Sequence, residues 1–136
     1  MGEREHAAAW KAALSAALPG PASAFEFGDP EVAETVAVPD LPNVYAVLAL
    51  SRRPVGPLRL AGGTPACGWR LTTRAVGRTR DQAQWVRDVI YAAVNWARPP
   101  IAGATPARLE EGGEERIAFS GGMFWGDTDW LYEADD

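Results

Sequence analysis

The hydrophobic pattern changes its period within the stretch from Gly68 to Ala97, and the rest of the chain is arranged around this stretch. In its first half, packed and polar positions alternate, which is typical of a strand with one buried face and one charged face. The packed positions are Trp69, Leu71, Thr73 and Ala75, and the charged face carries Arg70, Thr72 and Arg74. This half therefore predicts a strand.

The second half of the stretch predicts a helix that begins near Arg80. Gly77 permits the turn, and Thr79 with Gln82 three residues later is typical of a capping box at a helix start. The predicted buried stripe comprises Val86, Ile90, Ala93 and Ala97, widened by Trp85, Val89 and Trp96. The opposite face is predicted to be solvated and carries Arg80, Asp81, Gln84, Arg87 and Asp88. Pro99-Pro100 ends the helix between Trp96 and Arg98.

Before this unit, the pattern predicts one further helix and two or three further strands. Residues 3–18 are predicted to form a helix because Ala7, Trp10, Leu14 and Ala17 recur at helical spacing. The run from Val44 to Leu50 is apolar on both faces, which favours a strand near the centre of a sheet. Residues 24–27 are predicted as a short strand, and residues 31–38 are either a strand or an irregular edge.

After the central unit, aromatic and glycine residues predict further strands. Residues 107–111 and 114–119 are predicted to pair as a hairpin around Gly112-Gly113, and the last strand runs from Met123 to Tyr132. Phe124, Trp130 and Tyr132 lie on one face of that strand, and Trp125 and Leu131 on the other. The order of elements predicts an α+β fold, a single domain over residues 1–136 with a mainly antiparallel sheet and two packed helices.

One long connection has no convincing core face. Residues 51–65 are rich in glycine and proline and contain Arg52, Arg53 and Arg59. Structureless loops of this length are uncommon in compact domains unless they are functional or disordered. We expect this loop to be mobile or to form an interface in which its arginines contact carboxylates of a partner, although an ordinary solvated loop fits the pattern equally well.

The composition excludes several classes of protein. The 136 residues carry a formal net charge of −5, which argues against a domain that binds nucleic acid by neutralising phosphates. A single cysteine, Cys67, cannot form an intrachain disulfide and fits a reducing cytoplasm. No signal peptide or membrane span is predicted. Six tryptophans exceed the needs of one core, so some are expected at a subunit contact.

Catalytic chemistry is not evident in the chain. His6 is predicted to be a solvated helix residue near the N-terminus, and Cys67 a small buried hydrophobe without a histidine to activate it. The paired glycines do not match a phosphate-binding motif. The carboxylates near the C-terminus lack the spacing of a calcium loop and are predicted to form a solvated acidic tail. We therefore expect that the protein is not an enzyme and that it binds neither a metal nor a cofactor.

The central unit resembles a known family. Trp69-x-Leu71 followed by Val76-Gly77-x-Thr79-Arg80-x-Gln82-Ala83-x-Trp85 is similar to the tail terminator, or minor tail and tail-completion, proteins of long-tailed phages and prophages of actinobacteria. The segment from Val38 to Leu48 resembles the proline-flanked first core strand of that family. Gly122-Met-Phe-Trp125 followed by Trp130 resembles its closing aromatic strand, and a helix ending near Leu18 also fits.

This resemblance implies a structural virion protein that forms a homohexameric ring. The ring would cap the head-proximal end of the tail tube, contact the tail tube protein and join the head-completion protein, after assembly in the host cytoplasm. DNA would pass through its lumen without specific binding, to which a low content of fixed cations is suited. Two alternatives are another connector or stopper protein of the phage neck, and a monomeric ligand-binding α+β domain.

A ring of identical subunits needs two different complementary patches on each subunit. The residues expected at subunit or partner contacts are Arg52, Arg53, Arg59, Arg70, Arg74, Trp125, Asp127 and Asp129. Because Arg70 and Arg74 cannot be buried without a partner, their face is either solvated or matched by carboxylates. Asp127, Asp129 and Glu133 are the candidates, from the same subunit or, as we favour, from the next one.

Overall fold

The computed structural model of the protein describes residues 2–18, 23–26, 44–53 and 67–134. Its helices are α1 (Glu3–Ala17) and α2 (Arg80–Val94), and its strands are β1 (Ser23–Glu26), β2 (Val44–Arg53), β3 (Cys67–Gly77), β4 (Arg108–Glu114), β5 (Ala118–Ser120) and β6 (Met123–Ala134). The strands form one sheet against which both helices pack, which confirms the predicted α+β class. The prediction for residues 31–38 lies outside the described residues. So does most of the predicted loop, whose first three residues belong to β2.

The sheet is built around the long pairing of β3 with β6. The strand order is β1-β2-β3-β6-β4, and β5 also pairs with β6. β1 runs parallel to β2, while the other pairs are antiparallel. The β3–β6 ladder extends without a register shift from Cys67 opposite Ala134 to Gly77 opposite Phe124. This unbroken register decides which side chains meet on each face of the sheet.

Both helices cover the same face of the sheet. The predicted alternation along β3 is confirmed, since Trp69 and Leu71 are fully buried there with Trp130 of β6. Trp10 and Leu14 of α1 pack into the same core. The Trp130 indole N–H donates to Thr73 Oγ1 at 3.1 Å, so this buried polar atom is satisfied. Burial of each large side chain contributes about 1.5–3 kcal/mol relative to exposure.

The capping box at the start of α2 is confirmed. Thr79 Oγ1 accepts from the Gln82 backbone N–H at 3.1 Å, and Gln82 Oε1 accepts from the Thr79 backbone N–H at 3.2 Å. Gly77 has a different role from the one predicted, because a Cβ there would lie 2.6 Å from the Ala83 backbone nitrogen. The strand therefore needs glycine at this position to approach the helix closely.

The end of α2 lies at Val94, two residues before the predicted range, and Asn95 is its C-cap. Trp96 follows with a φ of 61°, in the left-handed region that few residues other than glycine adopt. Its backbone N–H donates to the Ala107 carbonyl at 2.7 Å, and the Ala107 N–H donates to the Ala97 carbonyl at 2.8 Å. These two hydrogen bonds hold the chain in its turn away from the helix.

The predicted buried face of α2 is rotated relative to the one observed. Ala83, Val86, Ile90 and Val94 form its buried stripe together with Arg87. The prediction that Arg87 is solvated is wrong, because its guanidinium is needed to hold the β4–β5 connection through the carbonyl of Glu115. Trp85 and Trp96 were predicted to widen the stripe, but they are 40% and 69% exposed.

The predicted hairpin around Gly112-Gly113 is also wrong. β4 continues through both glycines and pairs with β6, with a register shift between Leu109 and Glu114. Gly112 accommodates this bulge with a φ of 72°, and a Cβ on Gly113 would lie only 3.1 Å from the Cβ of Asp129. The true hairpin joins β5 to β6 at Gly121-Gly122, where both φ values are positive, as a tight two-residue turn requires.

Candidate functional site

A group of paired polar side chains lies on the face of the sheet opposite both helices, and we name it the charged face. It comprises Arg70, Thr72 and Arg74 of β3, Asp127 and Asp129 of β6, and Glu110 of β4. The β3–β6 register places Arg74 directly opposite Asp127, and Thr72 opposite Asp129. The predicted alternation of charged and packed positions along β3 is therefore confirmed.

Arg74 forms the strongest pair of the charged face. Its guanidinium donates to the two carboxylate oxygens of Asp127, from Nε at 2.7 Å and from Nη2 at 3.1 Å. Both side chains are mostly buried, with 15% and 20% of their surface exposed. A two-pronged geometry of this kind fixes orientation as well as charge. The neighbouring Thr72 hydroxyl donates to Asp129 Oδ1 at 2.6 Å, so the next cross-strand pair is also joined by a hydrogen bond.

Arg70 completes the charged face with a partner that the sequence did not reveal. Its Nε and Nη2 each donate to one oxygen of Glu110, both at 2.9 Å. The hydrogen bonds and charge of Glu110 raise the pKa of Arg70 above its ordinary value. This pair is more open to solvent, with side-chain exposures of 40% and 26%, so it contributes less to stability than the pair of Arg74.

One end of the charged face is aromatic and apolar. The Arg74 guanidinium carbon lies 3.9 Å from the ring centre of Trp125, a cation–π contact, and the Trp125 indole N–H donates to the Ser120 carbonyl at 3.1 Å. Beside Trp125 lies a small buried cluster separate from the main core: Tyr45, Val47, Val76 and Met123. Burial raises the pKa of the Tyr45 hydroxyl, against a smaller lowering effect of Arg74.

Two predictions about these charges need correction. Carboxylates do match the arginines, but they come from the same chain and not from a neighbouring subunit as we favoured. Antiparallel pairing of β3 with β6 places Asp127 opposite Arg74, whereas Arg70 reaches across β6 to Glu110 of β4. Asp127 and Asp129 are strand residues, so they do not belong to a solvated acidic tail. They and Glu133 alternate with buried residues along β6. Arg74, Trp125 and Asp127 are thus brought together, while Arg70 lies farther along the same strand.

The remaining predicted interface residues are dispersed. Arg52 is exposed on the helix side of the sheet, where its guanidinium carbon lies 5.1 Å from the ring centre of Trp69. Arg53 ends β2 and is half-buried. Arg59 lies outside the described residues. Neither of the two described arginines joins the ladder of the charged face.

A second polar cluster lies between α1 and the sheet. His6 is fully buried, its Nδ1 lies 2.7 Å from the Tyr132 hydroxyl, and its ring stacks on Trp69 with 4.2 Å between centres. The prediction of a solvated histidine is therefore wrong, because His6 shares the inward face of α1 with Trp10 and Leu14. Burial lowers the pKa of His6 and raises the pKa of Tyr132 to about 12.

Within the described residues, no group of three or more histidine, cysteine, aspartate or glutamate side chains is arranged to hold a metal ion. Neither α1 nor α2 is long and apolar enough to cross a membrane. A comparison with known protein families finds no family that matches the chain, and a comparison with curated proteins finds no significant match.

Proposed function

We propose that the protein is a structural subunit of a phage tail, and that it assembles as a homohexameric ring on the head-proximal end of the tail tube and joins the tube to the head-completion protein. The observation that carries this proposal is the charged face. A sheet covered by helices on one face must offer its other face to solvent or to a partner. Here that face is a rigid ladder of paired side chains.

The properties of the ladder favour contact with a protein over catalysis. Each arginine holds its carboxylate in a two-pronged pair, so the charges neutralise each other in place and their geometry is fixed before any partner arrives. A preorganised surface lowers the entropy lost on association. Arginine and tryptophan, which adjoin at Arg74 and Trp125, are the residue types most enriched among energetically dominant contact residues.

We assign the charged face to the contact with the tail tube protein. The resemblance of the central unit to tail terminators supports this choice of partner, and the net charge of −5 suits a ring through which DNA passes without being held. Head–tail stoppers, the alternative within the same virion, would bind the head-completion protein but would not bind tube ends. A ligand-binding domain would bind neither.

The experiment that tests the proposal is a tube-capping assay with the cognate tail tube protein, observed by electron microscopy of labelled protein. Ser51 is exposed and lies directly opposite Arg70 on β2, so Ser51→Trp adds bulk to the charged face without removing any pair. We expect wild type to label one end of each tube, and Ser51→Trp to lose this labelling with its thermal melt unchanged.

Ser15→Trp is the matched control, because Ser15 is exposed on α1, on the other side of the sheet. It should cap tubes as wild type does. If Ser51→Trp caps tubes normally, the charged face is not the contact with the tube. If wild type never labels a tube end, the proposed function is wrong.

A further inference from the structure

Two exposed aromatic patches lie on different parts of the subunit, one with carboxylates beside its rings and the other with a guanidinium beside its rings. The first, which we name the acidic stripe, lies on the side of α2 opposite its buried residues. It comprises Asp81, Trp85, Asp88 and Ala92, which recur at intervals of four, three and four residues and are all exposed. This spacing places them in one row along the helix. Trp96, which follows the C-cap Asn95, is 69% exposed.

Trp96 combines a strained backbone conformation with an exposed side chain. Its φ of 61° is costly for a residue with a side chain, and the structure maintains it through the hydrogen bond from its N–H to the Ala107 carbonyl. A side chain that the core needed would repay this strain by burial, yet the indole of Trp96 is mostly in solvent. Exposed tryptophans of this kind are typical anchors of protein contacts.

The second patch, which we name the basic edge, lies where β5 and β6 turn at the border of the sheet. Phe119 is 63% exposed and lies opposite Phe124 in the hairpin, with 5.1 Å between ring centres. The guanidinium carbon of Arg80 lies 5.7 Å from the ring centre of Phe124, and Arg80 Nη1 donates to the Ile117 carbonyl at 3.3 Å. The side chain of Arg116 is exposed in the same connection.

These two patches complement each other in chemistry and do not overlap. One presents indole rings beside the carboxylates of Asp81 and Asp88, and the other presents phenyl rings beside the guanidinium of Arg80. Glu115 is also exposed in the β4–β5 connection, so the basic edge as a whole has little net positive charge. The group that complements the carboxylates of the acidic stripe is the Arg80 guanidinium over the Phe124 ring. Two different matching patches on one subunit are what a head-to-tail contact requires.

We propose that the acidic stripe of one subunit binds the basic edge of a second copy of this chain, and that this contact, repeated around the ring, holds the subunits together. The inference rests on the proposed function and deepens it, because it separates the contact between subunits from the charged face that meets the tube. Electrostatic matching at the rim fixes the orientation of the two copies, and the aromatic side chains supply the buried area.

The test is chemical cross-linking of single-cysteine variants in a Cys67→Ala background. Ala92→Cys places a thiol in the acidic stripe and Arg116→Cys places one in the basic edge, so the aromatic side chains of both patches are kept, and Ser15→Cys serves as the control on α1. The folding of each variant is first checked by its thermal melt. The variants are then treated with a short bis-maleimide, alone and in mixed pairs. The reaction is run at high protein concentration and in the presence of the tube protein, the conditions that promote assembly.

A head-to-tail contact gives a cross-linked dimer from the mixture of Ala92→Cys and Arg116→Cys, and this product is absent when either variant is treated alone or is mixed with Ser15→Cys. Product from either variant alone would show a two-fold symmetric contact and would overturn the inference. If light scattering shows the hexamer but the mixture gives no product, the subunit contact lies elsewhere and the proposed function stands. If no assembly forms under any condition, the proposed ring itself fails.

Discussion

The guanidinium of Arg74 lies directly across the β3–β6 ladder from Asp127 and donates to both of its carboxylate oxygens, at 2.7 and 3.1 Å. The guanidinium carbon of Arg74 also lies 3.9 Å from the ring centre of Trp125. Because the pair is mostly shielded from water and its members come from different strands, it contributes to the stability of the single chain before any partner binds.

We therefore expect Arg74→Glu to destabilise the monomer itself. The substitution places two carboxylates against each other, and the free energy of unfolding should fall by about 1–3 kcal/mol, less than for a fully buried pair. The double substitution of Arg74→Glu with Asp127→Arg should recover part of this loss. Urea unfolding monitored by tryptophan fluorescence measures both. Equal stability of wild type and Arg74→Glu would show that the pair of Arg74 and Asp127 contributes little to the free energy of unfolding.

Substitutions on α2 should separate buried residues from exposed ones. Val86 is fully buried, so Val86→Ala should lower the free energy of unfolding by about 1–3 kcal/mol through lost burial and a small cavity. Trp85 is 40% exposed, and Trp85→Ala should cost less than this despite removing a larger side chain. Denaturant midpoints compare the two directly. A larger decrease in the free energy of unfolding for Trp85→Ala than for Val86→Ala would mean that Trp85 belongs to the core of the subunit.

Gly126 should not tolerate a side chain, although it lies in a regular strand. A Cβ there would collide with the Arg87 guanidinium and come within 3.2 Å of the Glu115 carbonyl oxygen. Gly126→Ala should therefore displace Arg87, break its 2.6 Å hydrogen bond to that carbonyl, and cost about 1–3 kcal/mol. In an Arg87→Met background the same substitution should cost less, and equal costs in both backgrounds would contradict this coupling.

His6 should make stability depend on pH. Burial lowers the pKa of His6 in the folded chain below its ordinary value of 6.5, so the unfolded chain takes up the proton first as the pH falls. The free energy of unfolding should therefore decrease as the pH falls through about 6.5 and level off below the folded pKa.

The neutral substitution His6→Gln keeps the ability to hydrogen bond with the Tyr132 hydroxyl and serves as the control. Unfolding of both proteins between pH 7.5 and 5.5 isolates the contribution of His6, because the other titrating groups are common to the two chains. Wild type should lose stability relative to His6→Gln over this range. Parallel curves would show that the imidazole is not held neutral by the fold.

Local signals were enough to predict the centre of the fold. The alternation along β3, the capping box of Thr79 and Gln82, and the glycine pair before Met123 each reflect the geometry of a few neighbouring residues, and all three predicted elements are found. The path of β4 could not be predicted in this way. Gly112-Gly113 has the local signature of a turn, and only the pairing of β4 with β6 makes it a bulge.

For the polar sites, too, local patterns could be predicted and long-range pairing could not. The pairing of Arg74 with a carboxylate was predictable, because two arginines on one strand face need partners, but the choice of the same chain depends on the register of β6. Glu110 was missed because the wrong hairpin left β4 unpaired with β6. The burial of His6 could have been found, since His6, Trp10 and Leu14 follow one another at four-residue intervals on one face of α1.

We propose above all that the chain forms a ring of six subunits at the end of the tail tube. Light scattering coupled to size exclusion, at high protein concentration and with tube ends present or absent, measures this most directly. A subunit mass of 14.6 kDa predicts an assembly of about 88 kDa for six copies, released from tubes or free in solution. A mass that stays at 14.6 kDa under both conditions, with no binding to tube ends, would contradict the account and favour a monomeric ligand-binding domain.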